Sequence, residues 1–284
     1  MEPFVFFGTS RFSVILLDEL KKHFNIVPSL VVTAPDRPVG RKQIITPPPI
    51  KVWADAHGIA TLQPEKLKNP DFLEKISPFS LFIVASYGKI IPKVVLDIPK
   101  LGTLNVHPSL LPLYRGASPL QSQIRNNESH VGTTIMAMDE QMDHGGIIAQ
   151  KELSFAPGEF PAPYAEVEAT LAIESATLLA NVLPAWISGT ATVTEQDHTS
   201  ATFTKIIEKA DGELSLSDDP FKNYCTYLAF SEWPKTFFFF EKDQKKMRAV
   251  IADASFENGA FVIKKVIPEG RKEMTYQDFV SWSD

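Results

Sequence analysis

The sequence predicts an α/β fold: a Rossmann-like, mostly parallel sheet in an N-terminal domain, with a small β-rich (OB-like, shortened) C-terminal domain. Two observations carry this. Over the first two-thirds of the chain, short β-branched or aromatic runs alternate with helical patterns, the signature of βαβ units. After about residue 200, closely spaced strand candidates take over in a stretch long enough only for a compact barrel or sheet.

Phe4–Phe7 reads as a strand, and Phe12–His23 as an amphipathic helix apolar at 12, 15, 16 and 20. Val27–Thr33 is the next strand. Ala34–Pro49 is a long loop rich in proline and basic residues, since Pro47-Pro48-Pro49 cannot continue a central strand or helix. Ile50–His57 is a short helix stopped by Gly58, Ser80–Ala85 a buried strand and Ile91–Asp97 a short helix. Gly102–Val106 and Thr133–Met138 are strands with helical Pro119–Asn126 between them, and Ile147–Leu153 suits an antiparallel edge. Ala165–Gly189 is a long helical pattern that Pro184 should kink or shorten. Phe203–Lys209 and Pro220–Phe230 read as helical. Thr236–Glu241, Arg248–Ala252 and Ala260–Val266 read as strands, with a turn at Asn258-Gly259. The expected division is a domain over 1–189, a linker over 190–204 and a small domain over 205–284.

At 44% hydrophobic and 22% charged over 284 residues, the composition is that of an ordinary globular protein, not a disordered one. The net charge of −6 means that a polyanionic partner must be held by local patches. A single cysteine, Cys225, cannot form an internal disulfide, which argues for a reducing compartment. No Cys/His cluster has zinc spacing, so no metal is expected. An acidic residue, Glu2, stands where a signal peptide is basic, and no uninterrupted apolar stretch approaches the roughly 20 residues of a bilayer span. The expectation is a cytoplasmic protein with no membrane partner.

Several familiar sites are absent. There is no G-x-x-x-x-G-K-[ST], H-E-x-x-H or G-x-S-x-G, and Gly8-Thr9-Ser10-Arg11 is not a G-x-G-x-x-G turn. The informative stretch is Leu104-Asn105-Val106-His107-Pro108-Ser109-Leu110-Leu111-Pro112-Leu113-Tyr114-Arg115-Gly116, after a predicted strand. Asn105 and His107 are two apart, so an extended chain points them to the same side. An amide donor beside an imidazole suits a carbonyl becoming an oxyanion. The competing reading makes Asn105 a strand terminator and His107 a satisfied buried histidine. A second stretch, Met138-Asp139-Glu140-Gln141-Met142-Asp143-His144-Gly145-Gly146, offers Asp143 on a loop. Its glycine pair allows positive φ and close backbone approach. That carboxylate could bond His107 or accept a proton from an attacking amine, or could be an exposed turn acid.

These motifs resemble the 10-formyltetrahydrofolate-dependent formyltransferases, and within them the methionyl-tRNA formyltransferases. Asn-x-His followed by Ser-Leu-Leu-Pro-x-Tyr-Arg-Gly, with the downstream Met-Asp-x-x-Met-Asp-x-Gly, carries the resemblance. Phe7-Gly8-Thr9, Ala34-Pro35-Asp36-Arg37-Pro38-Val39-Gly40-Arg41, Tyr87-Gly88-Lys89-Ile90-Ile91-Pro92 and Ala229-Phe230-Ser231-Glu232-Trp233-Pro234 support it. It covers nearly the whole chain and is strongest over residues 1–155. The sequence departs from the family's pattern in a short stretch between Lys246 and Val266 and over Phe155–Glu166.

The resemblance implies formyl transfer to the amino group of initiator methionyl-tRNA for translation initiation. Asn105 and His107 would stabilise the oxyanion, and Asp143 would hold His107 and assist proton removal. It places 10-formyltetrahydrofolate against Tyr87, Gly88, Lys89, Ile90 and Ile91, with Ser109, Leu110, Leu111 and Pro112, and with Asp139, Glu140 and Met142. It assigns contact with the acceptor end of the tRNA to the long loop, where Arg41 matches the family's functional arginine. On a protein of net charge −6 the candidate phosphate contacts are the local cations Arg37, Arg41 and Lys42 there and Lys245, Lys246 and Arg248 in the small domain, and a monomer is expected. The loop charges could equally be a solvated surface. Two other functions compete: an amino-sugar nucleotide N-formyltransferase with the same centre, and an inactive folate- or nucleotide-binding module.

Overall fold

Phe4, Val5, Phe6 and Phe7 have no solvent exposure, and Leu81, Phe82 and Ile83 have none either. A strand apolar at consecutive positions must be covered on both faces, which puts β1 (Phe4–Gly8) and its partner at the middle of a helix-flanked parallel sheet. Burying each such side chain is worth about 1.5–3 kcal/mol, so this centre anchors the fold. The computed structural model describes residues 2–40, 42–156 and 159–283. Packing divides the chain into two units, the first being Met1–Gly116, His130–Leu153 and Glu168–Phe203.

In chain order, α1 (Arg11–Phe24), β2 (Leu30–Val32), β3 (Arg37–Val39), β4 (Ile44–Thr46) and α2 (Pro49–Ala56) follow β1. Then come β5 (Ala60–Leu62), α3 (Pro70–Ile76), β6 (Leu81–Ala85), α4 (Lys93–Leu96), β7 (Thr103–His107) and β8 (Arg115–Gly116). After α5 (Pro119–Arg125), β9 (Val131–Ala137) and β10 (Ile147–Leu153) lead to α6 (Tyr164–Ile187). The main sheet has seven strands in the order β10-β9-β7-β6-β1-β2-β5. β5, β2, β1, β6 and β7 are parallel, while β9 and β10 add antiparallel. The chain winds outward from β1 through β2 and β5, then resumes at β6 on the other side. That reversal opens a crevice beyond the C-terminal ends of β1 and β6.

Several local readings need correcting. The long loop contains the β3–β4 hairpin, and Pro49 opens α2, because proline's missing N–H costs nothing at a first helical position. β5, with only three residues, and α3, whose Asn69 side chain caps the N–H groups of Asp71 and Phe72, have no counterpart among the expected elements. Pro184 does not stop α6, since it sits in the last turn, where Trp186 Nε1 anchors the end by donating to the Leu101 carbonyl at 2.8 Å. Among the described helices α6 alone is long and apolar enough to cross a membrane by length and composition, although Glu166, Glu168 and Glu174 interrupt its apolar run. Its Leu171, Ala172, Ala176, Leu179 and Leu183 are buried in protein.

The second unit comprises Ala117–Ser129, Ser154–Val167 and Thr204–Asp284. It holds α5, α7 (Pro220–Ala229) and an antiparallel sheet. The sheet runs in chain order: β12 (Phe237–Lys242), β13 (Lys245–Glu257), β14 (Ala260–Pro268) and β15 (Met274–Thr275). Asn258 and Gly259, both at positive φ, make the β13–β14 turn as read. Phe203–Lys209 is not a helix, because Phe203 and Ile206 are exposed and Ile207 alone is too little to make a buried helix face; β11 is the two-residue strand Phe203–Thr204. A C-terminal helix, α8 (Tyr276–Ser283), was unread, and its Phe279 joins Phe238, Ile251 and Val266 in the unit's core.

Candidate active site

Asn105 and His107 both stand on β7, buried, and both reach the same oxygen. Asn105 Nδ2 donates to Asp143 Oδ1 at 3.2 Å, and His107 Nδ1 lies 3.5 Å from that atom. The two-residue spacing does place them on one side. Asp143 Oδ2 accepts the backbone N–H of Gly116 at 2.8 Å, so the carboxylate is held from two elements. β9 runs antiparallel to β7, so residues 138–146 begin beside Thr103 and must fold back to bring Asp143 to Asn105.

The tautomer of His107 follows from its other nitrogen. Nε2 lies 3.0 Å from the Tyr114 carbonyl, which can only accept, so Nε2 carries the hydrogen. Nδ1 is therefore the nitrogen that faces Asp143, and it carries a proton only in the imidazolium form. Asn105 spends one amide N–H on Asp143 and has a second. The trio can orient a carbonyl oxygen and hold a proton a few ångströms away.

The glycine pair works differently from its reading. Neither Gly145 nor Gly146 is at positive φ; the left-handed residue in this loop is Asp143, at +48°. Gly145 serves close approach, since a Cβ there would lie 1.9 Å from the Ala137 carbonyl oxygen.

Tyr87–Ile91 lies just past β6, at the crevice. Tyr87 and Ile91 are buried while Ile90 is 79% exposed. The first turn after β1 supports the segment: Thr9 Oγ1 donates to the Tyr87 carbonyl and Ser13 Oγ to that of Ala85. Burial pushes the Tyr87 phenol up to about 12, so it stays neutral as part of the core. Gly88 is at φ +76° with open space where a Cβ would stand. The N–H groups of Gly88, Lys89 and Ile90 make no backbone hydrogen bond among the described residues. An exposed edge of free backbone donors suits a flat heterocycle with ring acceptors, so these residues fit a pterin. Lys89 itself donates to the Pro64 carbonyl.

Other site candidates are spread more widely. Ser109 Oγ donates to the Leu113 carbonyl, Thr134 Oγ1 to that of Ser109 and Gln150 Nε2 to that of Leu111, while Pro112 O accepts from Thr202 N–H. Leu110 packs on Gly132. These residues tie down the loop between β7 and β8. Asp139 bonds His144 Nδ1 at 2.6 Å, Glu140 pairs with Lys93 at 3.4 Å, and Met142 is exposed. Arg37 and Lys42 are exposed on and beside the hairpin, whose Val39, Ile44 and Ile45 are also exposed; Arg41 lies outside the described residues. Lys51 does not join that patch, because it pairs with Asp36 at 3.1 Å. The Gln63 amide, then Lys51, hold the Asp36 carboxyl below the usual range. In the second unit, Lys245, Lys246 and Arg248 lie on β13, with Lys246 over the Phe239 ring and Arg248 over Phe237.

Sequence reasoning missed a polar layer behind Asp143, in which Arg115 and Gln196 are buried and His198 is exposed. Arg115 Nη2 bonds Gln196 Oε1 at 2.6 Å and His198 Nδ1 at 2.9 Å, and the His198 ring stacks on His144 at 4.0 Å. Arg115 stood inside a quoted motif, but Gln196 and His198 fell in the expected linker, where no periodicity marks them.

A family model described as formyl transferase matches residues 3–172. The methionyl-tRNA formyltransferase of Chloroflexus aggregans is 39% identical over 264 residues, which is 91% of this chain and 84% of that protein. Two solved structures share the fold. A methionyl-tRNA formyltransferase from Clostridium thermocellum has a TM-score of 0.64 at 16% identity, covering 94% of this chain and 99% of that one. A sugar N-formyltransferase from a Shewanella species has a TM-score of 0.64 at 18% identity, covering 87% and 95%. The match over most of the chain, together with a relative well above 30% identity, places the chain in the formyl transferase family, among the methionyl-tRNA formyltransferases.

Proposed function

We propose that this enzyme moves the formyl group of 10-formyltetrahydrofolate onto the amino group of initiator methionyl-tRNA. The observation that carries the chemistry is the convergence of Asn105, His107 and Gly116 N–H on Asp143. The acceptor is read from the 39%-identical relative, since the two solved structures are equally alike in fold. The folate supplies an electrophilic formyl carbon. Asn105 turns its second N–H to the formyl oxygen as negative charge grows there, and the His107 imidazole stands beside it to add to the same stabilisation. Asp143 keeps both side chains oriented and takes the proton released by the attacking amine; as the bond from the formyl carbon to folate N10 breaks, that nitrogen takes up the proton and tetrahydrofolate leaves neutral at N10. Gly88–Ile90 and the 139–142 turn hold the heterocycle. The β3–β4 hairpin with Arg37, Arg41 and Lys42, and β13 with Lys245, Lys246 and Arg248, hold tRNA. The enzyme acts as a monomer in the cytoplasm.

The deciding assay compares methionyl-tRNA with amino-sugar nucleotides as formyl acceptors. Turnover on methionyl-tRNA alone is expected; turnover on the sugar nucleotide alone would overturn the acceptor, and turnover on neither would overturn the activity.

Two substitutions test the binding surfaces. Gly88→Val is expected to weaken folate binding by titration, because a β-branched residue is strained at φ +76° and its side chain fills the open edge. Unchanged affinity in a folded variant would move the pterin elsewhere. Arg37→Ala with Lys42→Ala should raise KM for methionyl-tRNA while sparing folate affinity. If both contact phosphates, log KM against log salt should flatten by roughly one to two units. An unaltered slope would take these cations off the RNA.

A further inference from the structure

Gln196 is 4% exposed and lies in the first unit, in the stretch between α6 and β11. Its amide has no spare position. Oε1 accepts from Arg115 Nε at 3.2 Å and Nη2 at 2.6 Å, while Nε2 donates to the carbonyls of Asp143 at 3.0 Å and Gly145 at 2.7 Å. A guanidinium only donates and a carbonyl only accepts, so this orientation is fixed by its partners. Two residues earlier, Thr194 and Ile147 exchange backbone hydrogen bonds of 2.8 Å, which hold the stretch against the exit of the Asp143 loop.

Asp143 adopts a left-handed conformation, and a non-glycine residue stays there only where its surroundings over-determine it. Its carboxylate is fixed through Asn105 and Gly116. Its backbone is fixed through Gln196, on its own carbonyl and on the carbonyl two residues on. Arg115 and Gly116 serve both ends, with the guanidinium on Gln196 and the N–H on the carboxylate. We infer that Gln196 is a positioning residue for formyl transfer: it holds the backbone of Asp143 so that the carboxylate meets Asn105 and His107. This rests on the proposed role of Asp143.

The test uses the full chain with Gln196→Met, which fills the same space without donors, and Gln196→Glu, which keeps the Arg115 partner but opposes oxygen to both carbonyls. Each is made alone and with Asp143→Ala, and crystal structures accompany the kinetics. A layer behind the reacting groups typically controls a 10–100-fold effect, so kcat should fall by about that much with both KM values within about threefold. With Asp143→Ala already present, neither change at Gln196 should cost anything further. The crystal structures should show Asp143 out of the left-handed region and off Gly116 N–H. Equal losses in both backgrounds, or an unmoved Asp143, would overturn the inference. Wild-type chain inert toward methionyl-tRNA would overturn the proposed function instead, and the crystal structures would still decide the position of Asp143. If Gln196→Met fails to fold, the isosteric Gln196→Glu carries the same comparison.

Discussion

Asn105→Ala is expected to lower kcat by about 10²–10³-fold, the usual loss for one oxyanion donor, with folate affinity nearly unchanged. The side chain has two tasks on one nitrogen: one N–H restrains Asp143 and the other is available to the formyl oxygen. Alanine removes both and leaves a half-buried carboxylate short of a partner. His107→Ala and Asp143→Ala should be at least as damaging, because each removes a group that orients the other two. The effects should not add, since all three meet at one oxygen. Single-turnover rates for the three single and three double variants, with folate titrations alongside, check this. Near-normal turnover in the His107 or Asp143 variant would sink the assignment.

Among the glycines whose surroundings are described, Gly145→Ala should be the most damaging single-methyl change. The added carbon would stand 1.9 Å from the Ala137 oxygen, 3.1 Å from its carbonyl carbon and 3.3 Å from the Asp139 nitrogen, all backbone atoms that cannot swing aside. Overpacking of this kind costs about 1–3 kcal/mol in stability. Catalysis should suffer more, since a shift of about 1 Å in a reacting group can cost 10²-fold, and the Gly145 carbonyl is one of the two that Gln196 holds. Gly146→Ala is the control. Its carbon would clash with the Val193 side chain alone, at 2.3 Å, with the Thr194 carbonyl oxygen at an ordinary 3.5 Å, and Val193 is exposed and able to turn. Melting temperature and kcat should both fall further at 145 than at 146; the reverse order would show that the loop yields at its backbone.

What the sequence made legible was local. The unbroken apolar runs at Phe4–Phe7 and Leu81–Ala85 announced buried parallel strands, and the Asn-x-His spacing announced a shared side. Asp143 came from its motif, yet its left-handed backbone was assigned to the neighbouring glycines, because glycine is the usual residue there. Three-residue strands such as β5 are too short for a period to declare itself. Phe203–Lys209 has helix-like spacing, but burial, not spacing, decides, and of its large apolar residues Phe203 and Ile206 face water while only Ile207 is buried. Gln196 was illegible for a different reason: its function depends on three partner residues far away in sequence, and nothing in its own neighbourhood reports them.

The two units take three segments each, so the chain changes unit five times between its ends. A ribosome delivers the chain in one direction, and domains ordinarily form as they emerge. Here the first unit cannot close when β10 is made. Its sheet is then complete, but the stretch ending at Phe203 has not emerged, and with it are missing Gln196 and the Thr194 bridge to Ile147. α5, made early, must wait for the rest of the second unit, which arrives last. Nascent chains arrested after residue 189 should therefore be open to protease around the 138–146 loop, and chains arrested beyond 203, with that stretch clear of the exit tunnel, should not.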